Sequence, residues 1–236
     1  MTLGASLTGC AERLPAYRWV NEARAMDLMA ERAARIQTLS SPCRIILADP
    51  NAGTTQLEGA IAARMPGFLR LRAWKFSQPV LDLTLTPVGL WLYSAQDGDS
   101  PGERRSPFAT LTAQQLRQAW SLTTGVIPRD GWTWDEPSSR TYIALRRDWE
   151  SGGSIDCEID RPTLTLRRCT VSQAPDAAVL TLALDRYQHV GELIVPTRVV
   201  LRSAHGTVTI LLDDISLNDE LPLLAFDPPQ RAAKQP

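Results

Sequence analysis

The sequence predicts a single domain that is mainly β, with helices added, and three observations support this. The 236-residue chain is 44% hydrophobic and 22% charged, which is ordinary for a globular domain. A helical period is clear near the N terminus, whereas from Cys43 onward many segments alternate apolar and polar residues as half-buried strands do. Two of the turns between these segments fit tight hairpins. We therefore expect an antiparallel sheet of about ten strands.

The charge balance excludes some partners. The chain has 25 basic and 26 acidic residues, a formal net charge of -1, so it has no global positive field to attract nucleic acid. Charged or turn residues interrupt every apolar run before the ~18 to 20 residues that a spanning helix needs. We therefore expect no nucleic-acid partner, and membrane attachment only through an anchor.

A candidate anchor lies at Cys10. Leu7-Thr8-Gly9-Cys10 has the form of a lipobox, in which a small residue before Cys permits signal-peptide cleavage and the thiol receives diacylglycerol. The residues before it lack a basic start and the roughly 7 to 15 apolar residues of a signal peptide, as expected if the true start is upstream of Met1. We predict that residues 1–20 are a residual signal peptide, lipidation site and tether, and that residues 21–236 form one domain. The alternative is a free Cys10 in an unstructured tail.

Lipidation would place the domain outside the cytoplasm. Each buried CH₂ of a lipid chain contributes about 0.8 kcal/mol, so several chains on Cys10 would anchor the protein stably. Asp directly after the lipidated Cys directs inner-membrane retention in some bacteria, but Ala11 stands there. We therefore expect a protein of the cell envelope that faces the periplasm, on the outer rather than the inner membrane.

Three further cysteines are Cys43, Cys157 and Cys169. An oxidising compartment permits one bridge among them and leaves one cysteine over. Cys157 and Cys169 lie on successive predicted strands, but a turn centred on residues 160–162 would not place them opposite each other. Their spacing fits no metal site, so we expect no metal and no cofactor.

Two helices are predicted. Residues 21–39 have Asn21 as a plausible N-cap and carry an apolar stripe that includes Met29 and Ile36. A second helix is expected over residues 112–122, after a polar loop at 97–107. Each amphipathic face needs a partner, and the sheet supplies one.

The register of two hairpins can be predicted, because residues that face each other in an antiparallel pair have numbers with a constant sum. Around residues 86–89, Leu85 should face Leu90 and Leu83 should face Leu92. Around His205 and Gly206, residue 201 should face 210 and residue 199 should face 212, with Gly supplying a positive φ. The other predicted strands are residues 55–64, 68–76, 141–149, 155–160, 163–171 and 179–187.

Residues 125–139 have the composition of a loop but carry Trp132 and Trp134. The two side chains alternate toward one side, where they could enter a bilayer interface or close a cavity. Packing in the core is the alternative.

The order of elements and four short passages resemble the LolA/LolB superfamily of lipoprotein carriers and receptors. The resemblance spans roughly residues 22–230 and depends on residues 59–67 (GAIAARMPG), 89–93 (GLWLY), 215–218 (ISLN) and 226–229 (FDPP). It implies an incomplete antiparallel β-barrel wrapped around the N-terminal helix and the second helix. It also implies an apolar concavity that receives acyl chains. In the carrier an Arg just before a Pro holds the lid helix. Arg64 is the nearest candidate here, although Met65 separates it from Pro66.

The apolar face of this sheet is the predicted ligand site, formed by Leu81, Leu83, Leu85, Leu90 and Leu92. Such a face must be covered, and a loosely seated helix could exchange places with an acyl chain. The alternative is that these leucines form a permanently filled core.

Enzyme signatures are absent from the sequence: there is no phosphate-binding Gly-rich loop, nucleophile elbow or His-Glu-x-x-His run. His189 and His205 are interpreted as loop residues, and the acids at 156, 158 and 160 as a solvated strand face. Arginines at 146–147, 167–168, 70 and 72 are interpreted in the same way, although an arginine rim could meet lipid headgroups or an acidic partner.

We therefore expect a non-enzymatic, membrane-anchored envelope lipoprotein that binds an acyl chain or a lipoprotein and acts in lipid or lipoprotein transport. The alternative is a structural lipoprotein that uses the same fold to bind another envelope protein. An unrecognised hydrolase is a third hypothesis.

Overall fold

The structure is a computed structural model, and it describes residues 14–50, 53–94, 122–125, 127, 131–135, 139–149, 152–173, 178–228 and 233–235. Cys10 and the predicted helix at 112–122 lie outside the described residues, apart from Leu122, which begins a short 3₁₀ helix, Leu122–Thr124.

The described residues contain one α-helix and fourteen strands. In chain order these are α1 (Glu22–Ala34), β1 (Thr38–Asp49), β2 (Gly53–Arg64), β3 (Phe68–Lys75), β4 (Gln78–Thr86), β5 (Gly89–Ser94), β6 (Thr133–Asp135), β7 (Tyr142–Asp148), β8 (Ser154–Asp160), β9 (Thr165–Ser172), β10 (Ala178–Val190), β11 (Leu193–Ser203), β12 (Gly206–Leu212), β13 (Ser216–Leu217) and β14 (Ala233–Gln235). A second 3₁₀ helix, Leu223–Phe226, precedes β14.

All fourteen strands belong to one sheet, and every pairing is antiparallel. The order is β14-β5-β4-β3-β2-β1-β12-β11-β10-β9-β8-β7-β6, with β13 paired to β1. The predicted antiparallel architecture is confirmed, and the sheet is open, with β14 and β6 at its two edges. The strand number exceeds the prediction for two reasons. The sequence analysis gives no separate strand for β1, and β6, β13 and β14 have only two or three residues each, too few for a period of two to be recognised.

Helix α1 begins as predicted and ends early. The Asn21 side chain accepts a hydrogen bond from the Arg24 amide at 2.8 Å, so the predicted N-cap is confirmed. The predicted end at Leu39 is wrong, because Thr38 and Leu39 already pair with β2 as the first residues of β1. Ile36 is nevertheless buried, so the apolar stripe continues past the last helical turn.

One hairpin has the predicted register and the other does not. Leu83 faces Leu92 and Leu85 faces Leu90, as expected. In the second hairpin Val199 faces Ile210, so the predicted register is wrong by two residues. The turn consists of residues 204 and 205, and Gly206 is already in β12. Its φ is 139°, so the predicted positive φ is confirmed, and a Cβ there would also lie 2.5 Å from the Ala48 carbonyl oxygen.

Cys157 and Cys169 face each other on β8 and β9 and form a disulfide, with their Cα atoms 4.2 Å apart. The expectation that the turn would keep them out of register is wrong. Asp160 pairs with Thr165, and a register shift between Glu158 and Ile159 then moves Cys169 opposite Cys157. Cys43 is the free cysteine of the described residues and is buried.

The apolar side chains of the strands point to one face of the sheet, which we call the inner face. One contiguous core cluster contains inner-face residues from both halves of the sheet, such as Leu83 and Ile143, together with Ala25 and Met29 of α1. Charged residues alternate to the outer face, as the acids of β8 do. His189 lies within β10, opposite Ile194, and is not the loop residue that was predicted.

Candidate functional site

The five leucines of the predicted ligand site lie together on the inner face of β4 and β5. Leu83, Leu85 and Leu90 are almost completely buried, whereas Leu81 and Leu92 are half-buried. Leu69 and Leu71 of β3 pair beside them and extend the same surface. We call this surface, from β3 to β5, the leucine end of the sheet. In the structure, these side chains are part of the packed core.

Helix α1 lies over the other half of the inner face. Its Met29 and Arg32 line a cavity with Ile159, Leu166 and Tyr187, which come from β8, β9 and β10. The cavity volume is about 20 Å³, which is space for roughly one water molecule. A larger ligand could therefore enter this cavity only if α1 moved.

Arg32 fastens α1 to the sheet. Its Nη1 atom donates to the carbonyl oxygens of Thr163 at 2.9 Å and Leu164 at 3.3 Å, in the turn between β8 and β9. Burial lowers the pKa of Arg32. The second polar attachment, between Arg35 and Glu192, is exposed on both sides and stabilises little.

Arg64, the predicted lid-holding residue, occupies a different position. It is exposed at the end of β2, and its neighbour Ala63 is in the core, so the Arg64 side chain lies on the outer face. In the described structure, Arg32 makes a contact that holds the helix. Sequence reasoning missed it because the acceptors are backbone carbonyls more than 130 residues away.

Trp132 and Trp134 are half-buried and pack against the core. Trp134 contacts Trp19, with ring centroids 6.1 Å apart, and Trp19 contacts Tyr17. The Arg161 guanidinium lies 3.9 Å from the centroid of the Trp19 ring. With Trp149, these aromatic residues form what we call the aromatic end of the inner face, next to β6 and β7.

On the outer face, Arg70 is paired and largely buried, which corrects its interpretation as a solvated residue. Its guanidinium donates two hydrogen bonds to Asp82, at 2.8 and 3.0 Å, and one to the Ala225 carbonyl oxygen at 3.0 Å. Asp82 also lies 3.4 Å from Arg72. The network secures the 3₁₀ helix Leu223–Phe226 against β3 and β4, so it stabilises the fold.

Phe76 is a surface feature that the sequence did not reveal. It had been predicted to end a strand, but it lies in the turn between β3 and β4 with a φ of 51° and is 90% exposed. Positive φ disfavours a bulky side chain, and Asn or Gly is preferred in such turns. Lys75 Nζ lies 5.9 Å from the ring centroid, so the tip combines an aromatic group with a positive charge.

Two buried titratable groups among the described residues have raised pKa values. Burial, together with the charge of Asp213, raises the pKa of the Cys43 thiol to about 12. Burial also raises the pKa of Tyr187, whose hydroxyl donates to the Leu166 carbonyl oxygen. Within the described ranges, no group of three or more potential metal ligands occurs, and no helix has the length and hydropathy needed to cross a bilayer.

Comparison with solved structures identifies the fold. The chain is similar to a domain from Vibrio parahaemolyticus described as that of an outer membrane lipoprotein-sorting protein, with a TM-score of 0.60, 9% identity, and 88% of this chain and 97% of that chain covered. A LolA superfamily protein from Nitrosomonas europaea gives a TM-score of 0.56 at 12% identity, covering 86% and 97%. A DUF1329 family protein from Desulfovibrio piger gives 0.58 at 12% identity, covering 87% and 96%.

The predicted similarity to the LolA/LolB fold is therefore confirmed. The predicted incomplete barrel around two helices fits only in part, because the described residues form an open sheet with one α-helix. At these identities the similarity concerns the fold alone. No protein-family model matches the sequence, and no curated protein matches it significantly.

Proposed function

We propose that this protein is a membrane-anchored envelope lipoprotein that binds an acyl chain or a lipoprotein on its inner face and acts in lipid or lipoprotein transport. The observation that carries the proposal is the attachment of α1. The helix covers the half of the apolar inner face over β8–β10, and Arg32 attaches it to the sheet by hydrogen bonds. In the proposal, an acyl chain that displaces α1 extends along the inner face to the leucine end.

The energies favour an exchange of helix for ligand. Ala25 and Met29 are the fully buried side chains of α1. Burying an apolar side chain of the size of Met contributes about 1.5 to 3 kcal/mol. Met26, Leu28 and Ala33 also pack against the core and would be displaced. An acyl chain contributes about 0.8 kcal/mol per buried CH₂, so a long chain would offset this loss.

In this proposal lipid on Cys10 anchors the protein, residues 1–20 form the tether, and residues 21–236 form the binding domain on the periplasmic side of the outer membrane. The lipobox sequence supports the anchor. The exposed Phe76 beside Lys75 supports a second contact, because an aromatic ring and a cation suit the interface of an anionic bilayer.

Leu92 is the best position for testing the ligand face, since it is half-buried while Leu83 is fully buried. We expect Leu92→Glu to retain much less lipid than the wild type when protein extracted from membranes is analysed by native mass spectrometry. The matched control is Val88→Glu, in the turn of the same hairpin and 76% exposed, which should retain lipid normally. Equal lipid retention by both variants, with both folded by circular dichroism, would reject the proposed site.

A structural lipoprotein with a permanently filled core is the second candidate. The small cavity beneath α1 and the complete burial of Leu83, Leu85 and Leu90 favour it. In that case wild-type protein would carry no lipid in the same experiment, and its binding partner would be another envelope protein.

A further inference from the structure

The aromatic end contains polar hydrogens without acceptors. The Nε1 atoms of Trp132 and Trp149 are buried and make no hydrogen bond, and the same is true of the Tyr17 hydroxyl. Trp149 is only 9% exposed. Buried donors are nearly always paired, so two unpaired indoles in one region require an explanation. An indole N–H can only donate, and the missing partner must therefore be an acceptor.

Sheet register and side-chain alternation place both indoles next to Arg147. Thr133 pairs with Arg146, so Trp132 lies one step further along, opposite Arg147. Trp149 follows two positions after Arg147, and alternation puts the two side chains on the same side of β7 as Leu145, whose side chain is in the core. The three groups share one part of the inner face.

The Arg147 guanidinium has no hydrogen bond or ion pair with any residue in the described part of the chain. It lies against Gly131, directly before Trp132, where a Cβ would come within 3.0 Å of Nε and 3.1 Å of Cζ. A larger residue at 131 would push the guanidinium away. Its neighbour Arg146, on the outer face, is in contrast paired with Asp148 and Asp156.

Carboxylates near this site point away from it. Asp156, Glu158 and Asp160 alternate with the buried residues of β8 and so lie on the outer face. A half-buried cation beside two unpaired N–H groups, without a nearby inner-face carboxylate among the described residues of β7 and β8, has the chemistry of an anion site.

We propose that Arg147, Trp132 and Trp149 form a subsite for an anionic phosphate or carboxylate group of an amphiphile whose acyl chain lies on the inner face. This rests on the proposed lipid-binding function and names its ligand class. Arg147 is half-buried near the end of β7 and meets the charge, while the indoles, whose N–H groups are buried, donate to its oxygen atoms. The anionic group thereby fixes which end of the ligand enters.

The test compares amphiphiles of equal chain length: a fatty acid, a lysophosphatidic acid and a neutral monoacylglycerol. We expect Arg147→Gln to weaken binding of the two anionic compounds about tenfold, as loss of a charge-assisted hydrogen bond does, and to leave the monoacylglycerol within about twofold. Arg146→Gln, on the opposite face of the same strand, is the control and should leave the affinities for all three compounds unchanged. Titration calorimetry measures all three affinities.

The indoles supply a readout that a change in stability would not move. In proton–nitrogen spectra of ¹⁵N-Trp protein, the Nε1 resonances assigned by Trp132→Phe and Trp149→Phe should shift downfield on adding lysophosphatidic acid. Titration with inorganic phosphate distinguishes a site for a lipid headgroup from a site for a free phosphate ion. If it binds as tightly as the lysophosphatidic acid, the assignment to a lipid headgroup is overturned.

Failure of the headgroup subsite can be distinguished from failure of the proposed lipid binding. If the amphiphiles bind but Arg147→Gln weakens charged and neutral compounds equally, or weakens none, the headgroup subsite is wrong while lipid binding stands. If no amphiphile binds the wild-type protein, the proposed function fails and this subsite fails with it.

Discussion

The two ends of the inner face are built differently. At the leucine end, aliphatic side chains of β3, β4 and β5 pair with one another, and the buried polar atom without a partner on these strands, Thr84 Oγ1, belongs to a side chain of the outer face. At the aromatic end, Trp132 and Trp149 bury N–H groups that have no acceptor among the described residues, and Arg147 has no partner there either. The comparison teaches that apolar composition indicates where the protein packs, whereas a cluster of buried N–H groups without acceptors indicates where a ligand could bind.

The two ends also differ in disulfide bonding. Removing the disulfide should give the largest change in the free energy of unfolding. The disulfide joins β8 and β9 next to the aromatic end, whereas Cys43, on β1, is free. With a sequence separation of 12 between its cysteines, the bridge should contribute about 3 kcal/mol by constraining the unfolded chain. We expect the Cys157→Ala/Cys169→Ala double variant to lose that much free energy of unfolding in urea.

The location of the loss sharpens the comparison. Hydrogen exchange in the double variant should increase mainly in β7, β8 and β9, and much less in β3, β4 and β5. Cys43→Ala is the control and should cost about 1 kcal/mol through a small cavity. Uniform loss of protection across the sheet would show that the two ends unfold as one unit.

Sequence patterns predicted the regular parts of this fold well. The 83–92 and 85–90 pairs, the Asn21 cap and the antiparallel sheet all depend on local spacing, which a single sequence displays. The register of β8 against β9 was missed because a bulge depends on how neighbouring strands compete for hydrogen bonds.

The polar parts of the site could not be predicted in the same way. An arginine that lacks a partner looks like any other arginine in the sequence, and Arg146 and Arg147 were given one interpretation although they face opposite sides. The contact from Arg32 to residues 163 and 164 joins distant segments through backbone atoms, which no side-chain pattern encodes.

An intermediate effect is expected from loosening α1. Arg32→Met keeps the apolar stem but removes two charge-assisted hydrogen bonds, which should cost about 1 to 2 kcal/mol. Amide exchange in α1 should accelerate, and bound acyl ligand should exchange faster. Arg35→Gln, which breaks only an exposed ion pair, should change stability by less than about 0.5 kcal/mol. Unchanged ligand exchange in Arg32→Met would argue that the helix is not a movable cover.

The smallest effect on stability concerns Phe76, at the tip that adjoins the leucine end. Asn tolerates positive φ better than Phe, so Phe76→Asn should raise the free energy of unfolding by up to about 1 kcal/mol. If the exposed ring instead serves as a membrane contact, the same variant should bind anionic vesicles more weakly despite its higher stability. Flotation with vesicles and urea unfolding measure the two quantities.

Ser77→Asn, at the other positive-φ position of the turn, is the matched control, because it changes the turn and keeps the ring. Equal vesicle binding by both variants would remove Phe76 from the proposed membrane surface and leave the lipid on Cys10 as the remaining proposed attachment.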